Sequence, residues 1–491
     1  MKRLIDALTD GVFDLCVIGS GITGAGVALD AASRGWRVAL IDRGDFASGT
    51  SSASSKLVHG GLRYLEYGHL HLVHEALHER GLLLRNAPHL VRPLPFVLPF
   101  YRGQRVPGWK WRLGLTLYDL LAGRANIARS QPMSRRRLLD TYRGLADADL
   151  TGGASYYDAL MDDVRLCLAV LQTASRHGAV LANYTEAIGF EMPDGTIAGV
   201  RVRDHVGGRE LVIRSRAVLN AAGPGADAVC RLAGNDRPHL QPTKGVHIIV
   251  RSLGFQHAFT LLHPRDGRVF FVIPWLGKTL IGTTDTFPDA DALHVLPAEI
   301  AYLLEGYNRY FAPPLASADV MGSFAGLRPL MRSRPGEPSS LSREFRLDVA
   351  PTGLWIALGG KYTTFRSMAE TIVDTIGRRL GKPRRCRTQS LPLEGTPAEP
   401  WDIFAAKTLP RIEREHPQTA HSASHLLYRY GNRVDDVLRA IVATPNGFAR
   451  LHPEEFDLVG EASWQREEEM AIYPEDFLLR RTRIGMWRES R

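Results

Sequence analysis

Gly19-Ser20-Gly21-Ile22-Thr23-Gly24 follows an apolar run at residues 13–18 and precedes a small-residue stretch ending near Arg34-Gly35. Strand, glycine turn and helix in that order form a cradle for a dinucleotide pyrophosphate. Gly19 permits the tight turn, Gly21 lets backbone approach phosphate, and Gly24 lets the helix pack on the strand. The amides of Ile22 and Thr23 then lie at a helix amino terminus, where free N–H groups and the positive dipole end meet negative charge. A second apolar run, 37–41, ends in Asp42, about 20 residues past the first glycines, as expected of an acid that holds ribose hydroxyls. An acid there favours an adenosine with a free 2′-hydroxyl, as in FAD or NAD, over NADP.

From Ser48 the chain reads SGTSSASSKLVHGGLRYLEY. Composition alone marks a loop, but its place after the ribose acid is where a flavoprotein chain passes the pyrophosphate and ring. Thr50, Ser51, Ser55, Lys56, His59 and Gly60 supply that path with hydroxyls, a cation, an imidazole and backbone amides. The stretch from Thr50 to Glu66 resembles, almost residue for residue, the signature of the FAD-dependent, quinone-linked glycerol-3-phosphate dehydrogenases, within the amino-acid-oxidase-like flavoprotein class. Further matching motifs follow in the family's order: Tyr156-Tyr157-Asp158 with Asp162-Asp163 and Arg165, Asn220-Ala221-Ala222-Gly223-Pro224, Lys244-Gly245 with His247, and Ile281-Gly282-Thr283-Thr284-Asp285. Gly326-Leu327-Arg328-Pro329-Leu330, Gly359-Gly360-Lys361 with Thr363-Thr364, and Arg480-Arg481-Thr482 complete the series, which covers essentially the whole chain.

The resemblance implies FAD as cofactor and oxidation of sn-glycerol 3-phosphate to dihydroxyacetone phosphate, with electrons passed to membrane quinone. Ala222, Gly223, Gly360 and Thr363 join the cofactor-binding set. Arg63, Arg328 and Lys361 are the matched cations for a phosphate dianion, arginine as a bidentate fork and lysine as a point charge. His247 is the candidate general base, because imidazole accepts a hydroxyl proton near neutral pH; His59 competes for that role, and Tyr64 is assigned to orienting substrate. Gly225 stands where the family often has tryptophan and Met161 also departs from the pattern, which opens the substrate's identity to other polyol phosphates such as erythritol phosphate; Tyr362 lies at a position that varies among relatives. An oxidase passing electrons to oxygen is a second alternative, and a flavin-containing RNA-binding protein a distant one. No RNA module supports the last reading, so nucleic acid is not an expected partner.

These residues require an α/β (α+β) framework: a Rossmann-like FAD-binding domain with strands near 13–41, 211–221 and 354–358, interleaved with a β-rich substrate domain. The interleaved region is expected to span 1–397. Apolar spacing at 420–430 and 434–443 suits helices, and 398–491 is expected to form a helical cap. Four scattered cysteines without a Cys-x-x-Cys pair suggest neither disulfides nor a metal site. The amino terminus lacks the apolar stretch of a signal peptide, and no run is long enough to span a bilayer.

A net charge of +9 admits anionic membranes, nucleic acid or acidic substrates as partners. Residues 92–121 interleave Phe96, Phe100, Trp109, Trp111, Leu113, Leu115, Leu117 and Tyr118 with Arg102, Arg105, Lys110 and Arg112. That pattern suits interfacial binding. The expected location is therefore cytoplasmic, peripheral on the cytoplasmic face of the inner membrane. A homodimer is compatible with the resemblance, although the chain stops soon after Arg481-Thr482, where some relatives continue with another helix.

Overall fold

The computed structural model describes residues 1–287, 293–332 and 345–488, apart from the side chain of Arg63. A six-stranded sheet runs in the order Phe345–Val349, Trp355–Gly359, Val218–Asn220, Leu15–Ile18, Val38–Ile41, Val180–Ala182. All pairings are parallel except that of the first two strands. The uninterrupted apolar runs LCVI and VALI are buried along their whole length, as a parallel sheet covered on both faces requires. Leu15, Val17 and Leu40 pack with helices Ile22–Ser33, Asp163–Arg176 and Phe365–Arg379. Cys16, Ile18, Ala39 and Ile41 instead pack with the antiparallel strands Thr185–Glu191, Gly199–Asp204 and Arg209–Arg214.

The expected single strand at 211–221 is two elements. Arg209–Arg214 belongs to the antiparallel meander, and Val218–Asn220 enters the parallel sheet after a break. Apolar residues continue through both pieces, so hydrophobicity alone does not mark where the chain changes sheets.

A nine-stranded sheet carries the substrate side. Its main path is Val320–Arg328, Thr243–Arg251, Lys278–Gly282, Val269–Trp275, Ala258–Leu262, Val91–Tyr101, Leu150–Met161 and Leu57–Val58, with Gln131–Met133 also paired to Leu150–Met161. The chain crosses between the two sheets repeatedly, so residues distant in sequence meet along their junction.

The aromatic segment at 92–121 is the strand Val91–Tyr101 followed by helix Gly108–Ala122. Phe96, Phe100, Trp111, Leu115 and Tyr118 lie in the core, whereas Trp109, Leu113 and Leu120 are exposed. Alternation along the strand and the helical period send most of these aromatics inward, leaving an apolar rim on one helix face. Among the described residues no helix is long and apolar enough to cross a membrane.

Helices Trp401–Glu415, Ala423–Tyr430, Val434–Ala443 and Glu461–Glu469 follow. The first three share a core of Ile412, Leu426, Leu427, Val437, Leu438 and Ile441. The chain then returns to the dinucleotide region. Arg481, wholly buried, donates to Asp45 from both terminal nitrogens at 2.7 and 3.0 Å, and its Nε lies 3.3 Å from Glu469. Glu469 also grips Arg165 at 2.7 and 2.6 Å. Burial alone would raise the Asp45 pKa, but Arg481 and Arg480 hold it below the ordinary carboxylate range. Removing one partner of a buried pair strands the other charge in low dielectric, at a cost of about 3–5 kcal/mol. Arg481→Met should therefore lower unfolding free energy by about that amount in urea titration; a change within error would show the pair to be dispensable.

Candidate active site

The glycine turn closes against a second strand end. Gly19 has φ +109°, and a Cβ there would lie 2.6 Å from the Ala221 carbonyl oxygen, so only glycine admits this approach. Beyond it, Gly223 opens a turn that the Asn220 side chain secures, accepting from the Ala222 amide at 3.2 Å and donating to the Ala226 carbonyl at 2.8 Å. Gly21 caps helix Ile22–Ser33 with no side-chain bond to the first turn. Ser51 Oγ accepts from the Ile22 amide at 2.9 Å, and Thr23 and Gly24 complete that turn. A glycine cradle at a helix amino terminus whose cap residue, Gly21, carries no side chain fits the pyrophosphate of FAD.

Asp42 accepts from the Ser20 amide at 2.7 Å, the Ser20 hydroxyl at 2.6 Å and the Gly44 amide at 3.0 Å. Burial nevertheless leaves its pKa above the usual carboxylate value. Asp42 thus braces the glycine turn through Ser20, at the end of the strand where a ribose-binding acid is expected.

The serine loop spans the junction between the sheets. Thr50 Oγ1 donates to the Leu327 carbonyl at 2.6 Å, and Ser55 Oγ lies 2.9 Å from His247 Nε2. Lys56 is fully buried. Its Nζ donates to the Ser52 carbonyl at 2.6 Å and to Asp163 at 2.7 Å, and it lies over the rings of Phe324 and Trp275 at 4.9 and 5.3 Å. Burial draws the Lys56 pKa down to about 8, against the pull of Asp163. Asp163 also accepts from the Ser54 hydroxyl at 2.6 Å and from Arg483, and these cations keep it ionised despite its burial.

Four strands align Phe271, Gly282, His247 and Phe324 in one cross-strand row. A Cβ at Gly282 would stand 2.1 Å from His247 Cδ2, so the missing side chain provides the room the imidazole occupies. His247 stacks on Phe324 with centroids 4.9 Å apart and an interplanar angle of 11°. Burial, reinforced by Lys56 and Arg328, pushes its pKa down to about 3, and Nδ1 has no hydrogen-bond partner among the described residues. Arg328 lies on the neighbouring strand, opposite Thr243. It bonds Asp285 at 3.0 Å, the Thr284 carbonyl at 3.0 Å and the Thr283 hydroxyl.

A second group gathers at the far end of the loop. Lys361 Nζ donates to the His59 carbonyl and lies 5.8 Å from the Tyr64 ring centre, while Thr363 Oγ1 is 3.3 Å from both the amide nitrogen and the carbonyl oxygen of His59. Gly360, at φ +96°, leads into this clamp. The Gly60 amide donates to Tyr118 Oη at 2.8 Å; Tyr118 donates to Asp158 at 2.8 Å, and Asp158 pairs with Arg80 at 2.6 Å. The His59 ring meets Phe271 edge-on at 6.3 Å, which joins this group to the row containing His247. The Arg63 side chain lies outside the described residues.

Sequence reasoning missed the groups that hold this loop, namely Ser54, Asp163 and Arg483, and the Asp285 partner of Arg328. Asp163 and Asp285 stand inside matched motifs. A lysine in a serine run that must be buried calls for an acid, which is the signal that could have singled out Asp163.

Comparison with known proteins agrees with this geometry. Residues 14–374 match the FAD dependent oxidoreductase family, and residues 386–491 match the C-terminal domain of alpha-glycerophosphate oxidase. The chain is 37% identical to a mitochondrial glycerol-3-phosphate dehydrogenase of Mesocricetus auratus, over 98% of this chain and 69% of that one. It is also 37% identical to glycerol-3-phosphate dehydrogenase 2 of Mycobacterium tuberculosis, over 96% and 81%. The crystal structure of glycerol-3-phosphate dehydrogenase from Bacillus halodurans complexed with FAD superposes with a TM-score of 0.80 at 31% identity, covering 98% of this chain and 88% of that one. The chain belongs to the FAD-dependent glycerol-3-phosphate dehydrogenase family of flavoprotein oxidoreductases.

Proposed function

We propose that this chain oxidises sn-glycerol 3-phosphate to dihydroxyacetone phosphate and passes the electrons to membrane quinone, with residues 398–491 acting as a helical cap. The observation that carries the reading is the placement of His247 and Arg328 on adjacent strands, with His247 bonded to Ser55 of the serine loop that leaves the dinucleotide cradle and the strand of Arg328 held to that loop through the Leu327 carbonyl and Thr50. When bound, FAD supplies the acceptor for the hydride lost by the substrate carbinol carbon. Gly19, Gly21, Gly24 and the Ile22 helix terminus hold the pyrophosphate; Ala222 and Gly223 close the cradle from the second strand. Arg328 and Lys361, with Arg63, take the substrate phosphate, and Tyr64 orients the carbon chain. His247 is neutral across the physiological range. In the tautomer whose Nε2–H donates to Ser55, its Nδ1 accepts the substrate hydroxyl proton. The phosphate dianion offsets part of the cost of the resulting imidazolium.

The match of residues 386–491 to an oxidase domain favours one second reading, in which oxygen takes the electrons. Peroxide release equal to turnover without added quinone would select it.

Anaerobic sn-glycerol 3-phosphate should bleach the flavin of the holoenzyme; bleaching by erythritol phosphate alone would replace the substrate assignment. Removing a general base typically costs about 10²–10⁴ in rate. His247→Asn should slow single-turnover flavin reduction by at least ~100-fold while FAD content is kept, and unchanged reduction would reject His247 as the base.

His247 also links stability to pH. An unfolded histidine binds a proton below about pH 6.5, whereas the buried ring stays neutral down to about pH 3, so stability falls as pH drops between those values. From pH 6.5 to about pH 5 the loss from this ring is at most ~2 kcal/mol. His247→Asn should flatten the urea-measured slope by up to that amount, and an unaltered slope would contradict the neutral assignment.

Peripheral membrane contact rests on the rim of Trp109, Leu113 and Leu120. Replacing all three with serine should abolish co-sedimentation with anionic vesicles at low salt; equal binding by the triple variant would remove this helix from the contact.

A further inference from the structure

A cavity of about 550 Å³ lies away from the flavin cradle, between the segment from Gly81 to Ile127 and the carboxy-terminal helices. One wall carries three arginines, Arg85, Arg92 and Arg124; the other carries Trp401 and Tyr428. Among the described residues none of the three arginines has a carboxylate or hydrogen-bond partner. All three are exposed, in contrast to the buried Arg165, Arg366, Arg429 and Arg481, each of which is paired with an acid. Three cations lining one opening set up a positive local potential that attracts an anion, though solvent screens it.

The aromatic wall narrows the class of anion. Trp401 and Tyr428 are half-buried, with ring centres 5.2 Å apart, and the Arg92 guanidinium lies over the Tyr428 ring at 4.3 Å. This wall favours a flat, polarisable group and offers little to a bare ion. Its volume falls within the ~300–1,000 Å³ range of small-molecule sites, and is too small for a folded partner or a nucleic-acid duplex.

We propose that this cavity binds a nucleoside phosphate, with phosphate oxygens held by Arg85, Arg92 and Arg124 and the base packed against Trp401 and Tyr428. The proposal is independent of the substrate and electron acceptor assigned above. Because the two walls come from different parts of the chain, the ligand bridges them and stabilises their contact by mass action.

The test uses the FAD-loaded full chain, titrated with ADP by calorimetry, with adenosine and inorganic phosphate as separate arms. Saturable binding is expected at one site per chain, tighter for ADP than for either fragment, unaffected by excess FAD, and accompanied by a rise in melting temperature. Arg92→Gln combined with Arg124→Gln should weaken binding at least about tenfold, and Trp401→Leu should weaken ADP while sparing inorganic phosphate. Absence of saturable binding at millimolar ADP, displacement by FAD, or full binding by the double-arginine variant would overturn the proposal. Inorganic phosphate binding as tightly as ADP would overturn its aromatic half, reducing the site to a simple anion patch.

Discussion

At the first turn of helix Asp163–Arg176 a single carboxylate, shielded from water, receives an ammonium, a guanidinium and a hydroxyl: Lys56, Arg483 and Ser54 all converge on Asp163. Each cation would be costly to bury alone, and the carboxylate would be too. Together, and at the positive end of a helix dipole, they are mutually satisfied. The consequence is positional. Lys56 cannot leave Asp163 without stranding a charge, so the serine loop is fixed beside the dinucleotide helix at one end and beside the strand of His247 at the other. Both functional groups of the site depend on that one anchor.

The same low dielectric sets the state of His247. A histidine packed against Phe324, with Lys56 and Arg328 nearby, cannot hold a proton in the resting protein. The Arg328 charge is balanced by Asp285, and two threonine oxygens accept from it. The pocket therefore combines a neutral imidazole and a neutralised guanidinium until a dianion arrives. An incoming phosphate changes the local potential in the direction that makes the imidazole a better proton acceptor. In the proposed reaction, substrate binding and the strength of His247 as base are coupled through charge.

Much of this framework is legible in the residues themselves. The first glycine turn reads directly, since Gly19 and Gly24 occupy positions where a Cβ would overlap backbone. The runs LCVI and VALI announce parallel strands because nothing polar interrupts them. Helix Val434–Ala443 coincides with its expected bounds because its apolar residues keep the helical period. What eluded local reading was set by distant partners. The switch between sheets near Ser215 depends on where Phe13 and Val218 find their neighbours. The aromatics of helix Gly108–Ala122 divide between core and surface according to a sheet assembled from remote segments. Lys56 is read as a cofactor contact when only its loop is considered, yet its charge is engaged by Asp163, 107 residues away.

The return of the chain to its starting domain has a consequence for biogenesis. Arg481 reaches back 436 residues to Asp45, and Arg483 reaches back 320 to Asp163. A ribosome delivers these guanidinium groups long after the glycine turn, the serine loop and both acids have emerged. Until then Asp45 has neither of its arginines and Asp163 lacks one of its two cations, so the nascent flavin domain carries uncompensated negative charge at its centre. Contacts this distant in sequence also form slowly. Full charge balance at Asp45 and Asp163 is thus reached only when the carboxy-terminal segment docks.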